Sequence, residues 1–149
     1  MIMQTISNRT YLSSREWMRD AIRGEDVILR GVSALDYLQL FVGYLDDGNI
    51  EVYATSKGSY ENIDYRLVDS FDRIEYINDG GVLCSTFNQA VNDLLADFDN
   101  ADEEALANSL SNYYHSNNRS FAGLYIRPEN LEHFEYMREW AVEYYNEDY

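Results

Sequence analysis

The chain has little of several residue types, and each shortage excludes a class of protein. Cys84 is the only cysteine, so no disulfide forms within the chain, and a reducing cytoplasm is the expected compartment. His115 and His133 are the only histidines, and they fall on different predicted helices, which disfavours a zinc site. No apolar run approaches the ~20 residues of a membrane span. Residues 1–5 lack the basic and apolar regions of a secretion signal.

Sequence motifs of catalysis are also missing. The chain has no glycine-rich phosphate loop, no Gly-x-Ser-x-Gly and no His-Glu-x-x-His. Cys84 ends an apolar run, where a small buried residue is the ordinary expectation. Segment 97–102 alternates acids but lacks the glycine and glutamate of a calcium loop, so we interpret it as a helix–helix connection. The sequence therefore predicts a protein that is not an enzyme and that holds neither a metal nor a cofactor.

Acidic and tyrosine side chains are what the sequence has in excess. It carries 27 acidic and 11 basic residues, a net charge of −16, and 14 tyrosines. Such a charge repels nucleic acid and anionic membranes and attracts basic protein surfaces. Tyrosine offers rigid contact area with a polar tip, as at binding hot spots. The composition thus favours a protein that binds a basic protein and disfavours direct binding to nucleic acid.

Length and hydrophobic content indicate a folded chain. With 149 residues, 46% of them hydrophobic and 15% aromatic, the chain is unlike disordered proteins. We expect a single domain over residues 1–149, with residues 1–12 as a loosely ordered N-terminal arm.

Two helices are predicted before any strand. Ser13 and Glu16 form a capping box, after which an apolar stripe predicts a short helix that Gly24 ends. Ser33 is the expected cap of the second helix. The predicted inner faces are Trp17, Met18, Ala21 and Ile22 in the first helix, and Leu35, Leu38, Phe41 or Val42, and Leu45 in the second.

The middle of the chain has the alternation of strands. Apolar and polar residues alternate over 50–55, 63–68 and 74–77, and Gly80 and Gly81 favour a tight turn into 82–84. Helical periodicity then returns after Thr86, after Asp102 and after Pro128. The inner face of the last helix is predicted to be Leu131, Phe134, Met137 and Ala141. The sequence predicts an α+β fold, with a small, mostly antiparallel sheet at about residues 50–84, helices before it and a helical C-terminal third.

Three arginines form the one basic grouping. Arg15, Arg19 and Arg23 follow i, i+4, i+8 spacing on the first helix. One interpretation is a solvated face whose arginines pair with Glu16, Asp20 and nearby acids. The other is a candidate nucleic-acid contact, weak and sensitive to salt because it has only three charges.

The last predicted helix is the main candidate for a binding site. One interpretation is a solvated acidic face with an aromatic edge packed inward. The other is a docking surface, in which aromatic anchors are surrounded by carboxylates that steer a basic partner. The candidate partner-binding residues are Glu132, Glu135, Tyr136, Glu139, Trp140, Glu143 and Tyr144.

Part of the chain resembles AbiEi-type (type IV) antitoxins. Residues 29–38, LRGVSALDYL, are similar to the "x-G-x-S-A-L" entry of that family, and residues 82–95 resemble its strand-then-helix segment. The likeness extends over roughly residues 27–147. It implies a bacterial or phage antitoxin that counters a nucleotidyltransferase-like toxin. About thirty residues precede the similar region, so the resemblance is to a shortened relative without the N-terminal winged helix.

These observations support one main functional hypothesis and two alternatives. The main hypothesis is a non-enzymatic, antitoxin-like neutraliser of a toxin in a bacterial or phage defence system. An alternative is an anti-defence protein of a phage or mobile element, of the anti-CRISPR type, whose carboxylates mimic DNA charge and block a basic nuclease. A third is a metal-dependent hydrolase that uses carboxylates and a divalent ion.

Overall fold

The computed structural model describes residues 13–40 and 49–146, with side chains as far as residue 143. The predicted arm 1–12, the inner-face residues Phe41, Val42 and Leu45, and the side chain of Tyr144 lie outside the described part. Within it are α1 (Ser14–Ala21), β1 (Val27–Leu29), α2 (Gly31–Tyr37), β2 (Ile50–Ala54), β3 (Ile63–Leu67), β4 (Tyr76–Asp79), β5 (Val82–Ser85), α3 (Phe87–Ala96), α4 (Glu103–Ser116) and α5 (Leu131–Asn146). Single 3₁₀ turns at Phe98–Asn100 and Pro128–Asn130 precede α4 and α5. The α+β prediction is confirmed.

The five described strands form one mixed sheet in the order β3-β2-β1-β5-β4. β1 runs antiparallel to β2 and parallel to β5, while β2 and β3 are parallel and β4 and β5 are antiparallel. The prediction of a mostly antiparallel sheet confined to 50–84 was therefore wrong. Its central strand is Val27–Leu29, all three residues of which are buried. A strand covered on both faces has no polar alternation, so the sequence pattern did not reveal it.

The β4–β5 hairpin follows the predicted turn chemistry. Asp79 is opposite Val82, which leaves Gly80 and Gly81 as a two-residue loop with φ of +60° and +97°. Such a turn needs positive φ at both central residues, which glycine adopts without strain. β4 begins at Tyr76, two residues later than the predicted alternation.

The starts of α1, α3 and α4 were predicted, because each of these helices is capped by the residue just before it. The side-chain oxygens of Ser13, Thr86 and Asp102 accept from the backbone N–H three residues on, at 3.0–3.2 Å. Ser33 was wrong as a cap, because α2 already begins at Gly31. Ser33 lies inside α2, where its hydroxyl accepts from the Glu51 backbone N–H at 2.9 Å. The carboxylate of Glu51 in turn accepts from Val32 N at 3.2 Å, so β2 caps this helix.

The core lies between one face of the sheet and the helices. The strand residues Val27, Leu29, Val52 and Cys84 share that face and are buried in one cluster with residues of the five described helices. α2 and α3 pack on the strands, and α5 packs on α4. The predicted inner residues Trp17, Met18, Ala21 and Ile22 of the first helix are buried, as are Phe134, Met137 and Ala141 of the last. Leu131 was predicted inward and is 47% exposed, because Pro128–Asn130 form their own turn and leave it at the start of α5.

Cys84 is buried as expected, and burial raises the pKa of its thiol to about 12. A thiol of that pKa is not a nucleophile at neutral pH.

Candidate protein-binding surface

The acidic residues of α5 line up on the side of the helix that faces solvent. Glu132, Glu135, Glu139 and Glu143 are spaced i, i+3, i+7 and i+11, and all four are exposed. We call them the acidic face. The opposite side of the helix, which includes Met137 and Ala141 with no exposed surface, packs into the core beside α4. The core therefore fixes the orientation of α5, and with it the direction of the carboxylates.

Among the described residues the acidic face has almost no positive charge paired with it. Arg138 approaches Glu135 at 3.5 Å, an exposed pair of the kind that contributes ~0–1 kcal/mol. The carboxylates of Glu132, Glu139 and Glu143 form no ion pair with a described residue. The negative potential of this surface is thus not neutralised within the described part of the molecule.

An exposed tyrosine lies beside these carboxylates. Tyr136 is 59% exposed, and its ring meets Phe98 edge to face at 6.0 Å between centroids. Phe98 stacks on His133 at 4.3 Å, and the Nδ1 of that histidine lies 3.3 Å from the Leu95 carbonyl oxygen. Phe98 therefore holds the Tyr136 ring in place while most of that side chain remains exposed to solvent.

Trp140 is placed differently from Tyr136. It is half-buried and packs against the hydrophobic core, so most of the ring supports α5 from inside. The structure thus brings the four glutamates and Tyr136 together at the surface and places Trp140 at their inner edge.

The arginines predicted on α1 lie in a different environment. Arg15 Nη2 and Arg19 Nη2 each donate to Asp79 Oδ2 at 3.0 Å. Tyr37 completes the cluster: its hydroxyl donates to the same oxygen at 2.8 Å and accepts from Arg19 at 2.9 Å. Arg23 remains outside, 3.9 Å from Asp20. We call Arg15, Arg19, Tyr37 and Asp79 the arginine clamp.

The clamp joins α1 to the β4–β5 hairpin. The hydroxyl of Tyr37 lowers the pKa of Asp79, and Arg19 and Arg15 lower it further. Arg15 also lies over the Tyr37 ring, 4.6 Å from its centroid. Two of the three candidate nucleic-acid contacts are thus already bonded within the molecule, and a contact with nucleic acid stays an untested alternative for them.

A cleft of about 830 Å³ lies where the sequence predicted no site. Tyr53 of β2, Gln89 and Asp93 of α3, the connection 68–74 and Arg127 contribute to its walls. Its residues come from four separate stretches, so no local pattern marked them. The only local signal was the i, i+4 pair Gln89 and Asp93 on α3.

A buried carboxylate lines this cleft, and a half-buried ion pair contacts its Tyr53. Asp93 is 9% exposed, and burial raises the pKa of its carboxyl while Tyr53 and Arg30 offset part of the rise. Arg30 lies over the Tyr53 ring at 4.8 Å from its centroid, and its Nη1 lies 3.7 Å from Glu51 Oε1. Arg30 and Glu51 thereby connect the cleft to the start of α2.

The described residues include neither a metal-binding cluster nor a membrane-spanning helix. No group of three or more His, Cys, Asp and Glu side chains is arranged to hold a metal ion. No described helix combines the length and the apolar content needed to cross a membrane.

Comparison with known proteins gives no relative. No protein-family model, no curated protein and no solved structure matches the chain. The resemblance to AbiEi-type antitoxins therefore stays a prediction that depends on the quoted residues alone.

Proposed function

We propose that the protein is a non-enzymatic inhibitor that binds a basic protein through the acidic face of α5. One observation carries the proposal: four exposed carboxylates follow one side of a helix whose other side is fixed in the core, and within the described residues they form a single weak ion pair. A row of like charges costs some helix stability. Its use is to attract and orient a partner of opposite charge.

Binding would proceed in two stages. The net charge of −16 accelerates encounter with a cationic surface, and the acidic face then aligns the partner along α5. Contact area comes from Tyr136, because its exposed ring is held by Phe98 and loses little freedom on binding. Trp140 contributes by keeping α5 in place.

The partner class that we favour is a basic toxin of a bacterial or phage defence system, neutralised in the cytoplasm. The resemblance to AbiEi-type antitoxins supports this choice, as does the large excess of negative charge. The regular spacing of the acidic face supports a second candidate, in which the carboxylates stand in for DNA phosphates and block a basic nuclease. A toxin gene beside this gene would favour the first candidate, and an anti-defence cluster the second.

The test replaces three carboxylates and keeps a charge-matched control. Glu135→Gln, Glu139→Gln and Glu143→Gln together remove three negative charges from the acidic face. Glu16→Gln, Glu61→Gln and Glu104→Gln remove three exposed charges elsewhere. Wild type and both variants are used as bait in the native host, and the captured basic protein is then purified for affinity and inhibition measurements.

We expect the α5 variant to bind the captured protein roughly tenfold more weakly at low salt, since each rim charge contributes about 0.5 kcal/mol. The difference should shrink as salt increases. The control variant should bind as wild type does. Equal weakening of both variants would show that only net charge matters, and unchanged affinity of the α5 variant would refute the proposal.

A further inference from the structure

One edge of the sheet has no neighbour in the described part of the molecule. Among the described strands β3 pairs with β2 alone, and the two run parallel with Ile50 opposite Ile63. The Ile50 N–H donates to the Asn62 carbonyl at 3.0 Å. At the other end of the strand the Val68 N–H donates to the Ala54 carbonyl at 2.9 Å. These two bonds fix which residues of β3 face β2.

Alternation along β3 directs the remaining peptide groups away from β2. In a strand the N–H and C=O groups of alternate residues point to opposite neighbours. Since Asn62 and Val68 bond to β2, the even-numbered residues of β3 face β2 as well. The N–H and C=O groups of Ile63, Tyr65 and Leu67 therefore point outward, where no described strand pairs with them. An edge of this kind is a template for another strand.

The sequence of β3 is complementary to itself when two copies run antiparallel. If Tyr65 lies opposite Tyr65 of a second copy, Asp64 of each copy lies opposite Arg66 of the other. Both charged side chains are exposed, and neither forms an ion pair with a described residue. Asp64 Oδ1 accepts from Asn49 Nδ2 at 3.0 Å, and this neutral donor does not cancel the charge of the carboxylate. Opposite charges in facing positions stabilise a strand pair.

The hydrogen-bond pattern selects this same register. With Tyr65 on the axis, the pairs that exchange N–H···O=C bonds are Tyr65 with Tyr65 and Ile63 with Leu67, whose peptide groups point outward. Asp64 and Arg66 fall in non-hydrogen-bonded positions, where facing side chains are closest. A slip of one residue would set outward peptide groups against inward ones. A slip of two residues would set Asp64 or Arg66 against itself.

This pairing also covers apolar surface that is exposed in the single chain. Leu67 is 57% exposed and lies on the same face of β3 as the buried Ile63, because the two are four residues apart in a strand. In the pair, Leu67 of one copy faces Ile63 of the other. A hollow of about 360 Å³ lies along this strand, and Ile63, Tyr65 and Leu67 contribute to its walls. The hollow leaves room for side chains of an added strand.

The opposite edge of the sheet, β4, lacks this complementarity. Its bonds to the rest of the hairpin use the odd-numbered residues, beginning with the Glu75 carbonyl, which accepts from the Thr86 N–H at 3.0 Å. A symmetric pair centred on Ile77 would therefore exchange bonds through the even-numbered residues of β4. It would place Glu75 opposite Asp79 of the second copy, and like charges in facing positions are destabilising. β3 is thus the edge that fits a second copy.

We infer that β3 pairs antiparallel with β3 of a second copy about a two-fold axis at Tyr65, which makes the protein a homodimer with one continuous sheet. The five residues of β3 are far fewer than the roughly 20–30 per side of a standard interface, so the dimer should be weak. It carries two acidic faces, which allows bivalent binding to a partner with two basic sites. The inference does not depend on the proposed function, because the acidic face lies on α5 and takes no part in the strand pair.

The experiment measures the mass of the full chain in solution by sedimentation velocity, over about 5 to 500 µM protein. Salt is kept at about 0.15 M, where the Debye length of about 8 Å screens the repulsion between two chains of charge −16. We expect monomer at the lowest concentration and dimer at the highest. Monomer at every concentration overturns the inference.

Charge exchange tests the register. Asp64→Arg and Arg66→Asp each turn both facing pairs into like-charge pairs, so each variant should dimerise at least roughly tenfold more weakly. The double variant, which exchanges the two charges and keeps the net charge, should dimerise as wild type does. A one-to-one mixture of the single variants should form heterodimers, because their β3 charges are opposite in every facing pair. Glu132→Arg and Arg138→Asp make the same changes in net charge on α5 and should leave dimerisation unchanged.

A wild-type dimer that these exchanges do not weaken uses another surface, and single variants that do not combine show that the register is wrong. Either result overturns the inference. Hydrogen exchange on wild type supplies a measurement that needs no variant. The amides of Ile63, Tyr65 and Leu67 should exchange more slowly as protein concentration rises, while those of Tyr76 and Asn78 at the β4 edge should not change. Slow exchange of the β3 amides at every concentration would mean that the edge is already covered within one chain, which also overturns the inference.

Discussion

Two helices of this protein carry rows of charged side chains, but the arginines of α1 are bonded within the fold and the glutamates of α5 are exposed. On α1 the side chains of Arg15 and Arg19 turn toward the sheet and share Asp79 Oδ2 with the Tyr37 hydroxyl. On α5 the glutamates of the acidic face point to solvent, with Arg138 as their one partner among the described residues. With 11 basic residues against 27 acidic ones, one-to-one pairing would leave 16 carboxylates without a basic partner. The arginines of α1 serve the fold, and the glutamates of α5 remain available to another molecule.

The largest predicted effect on stability comes from Asp36, whose carboxyl is buried, unlike those of Asp79 and the acidic face. Asp36 on α2 is 9% exposed, and burial raises its pKa to about 6, with a Ser14 hydrogen bond offsetting part of the rise. Because the folded-state pKa lies above the ordinary value of 3.8, folding favours the protonated form. The stability that protonation adds is fully present below about pH 4 and is lost as the pH rises through about 6. At pH 7 the ionised form costs the fold at most about 3 kcal/mol, from ~1.4 kcal/mol per pKa unit.

Asp36→Asn removes this cost and should stabilise the protein at pH 7, by up to about 3 kcal/mol. The gain should nearly vanish at pH 4, where the wild-type carboxyl is already neutral. Urea unfolding at pH 4, 5.5 and 7 measures both chains. Burial also raises the pKa of Asp93 and Glu51, so the wild type keeps other pH dependence and only its difference from the variant is decisive. A variant that is less stable at pH 7, or equally shifted at every pH, would contradict the assignment.

Removing one member of the arginine clamp should change the unfolding free energy by a smaller amount. Tyr37→Phe keeps the buried ring but removes the hydroxyl that donates to Asp79 and accepts from Arg19. We expect a loss of about 1 kcal/mol, the usual net contribution of such a hydrogen bond. The pKa of Asp79 should also rise toward its ordinary value, because the Tyr37 hydrogen bond is the main cause that lowers it.

The pH dependence supplies the check on this variant. A lowered folded-state pKa gives stability that is present above about pH 4 and is lost as the pH falls through the folded value. Tyr37→Phe should therefore lose less stability than wild type on acidification. Tyr76→Phe, at a ring that is 40% exposed on β4, is the matched control and should change neither quantity. An unaltered unfolding free energy in Tyr37→Phe would show that the clamp does not hold α1.

The clamp also illustrates which features were predictable from sequence. Strands β2 and β3, the hairpin turn and the starts of α1, α3 and α4 depend on periods and caps within a few residues, and all were predicted. Asp79 lies 64 residues from Arg15, and Glu51 caps a helix 19 residues away. The order of the strands in the sheet brings such distant residues together. That order depends on β1 being the central strand, and no local sequence pattern shows this. The acidic face was predictable because a helical period alone places its residues. The cleft was not, because four stretches form it.

The smallest predicted effect concerns the stability of α5 itself. Glu139 has like charges four residues away on both sides, Glu135 and Glu143, and such i, i+4 pairs destabilise a helix by about 0.2–0.5 kcal/mol each. Glu139→Gln should therefore stabilise the protein slightly, by about 0.5 kcal/mol at low salt, and by less at high salt because exposed charges are screened. Urea unfolding at both salt concentrations measures this, with Glu61→Gln as an exposed control. A gain in stability together with weaker partner binding would show that the acidic face is maintained for binding at the expense of the fold. A loss of stability would mean that Glu139 has a partner within the molecule, and α5 would then resemble α1.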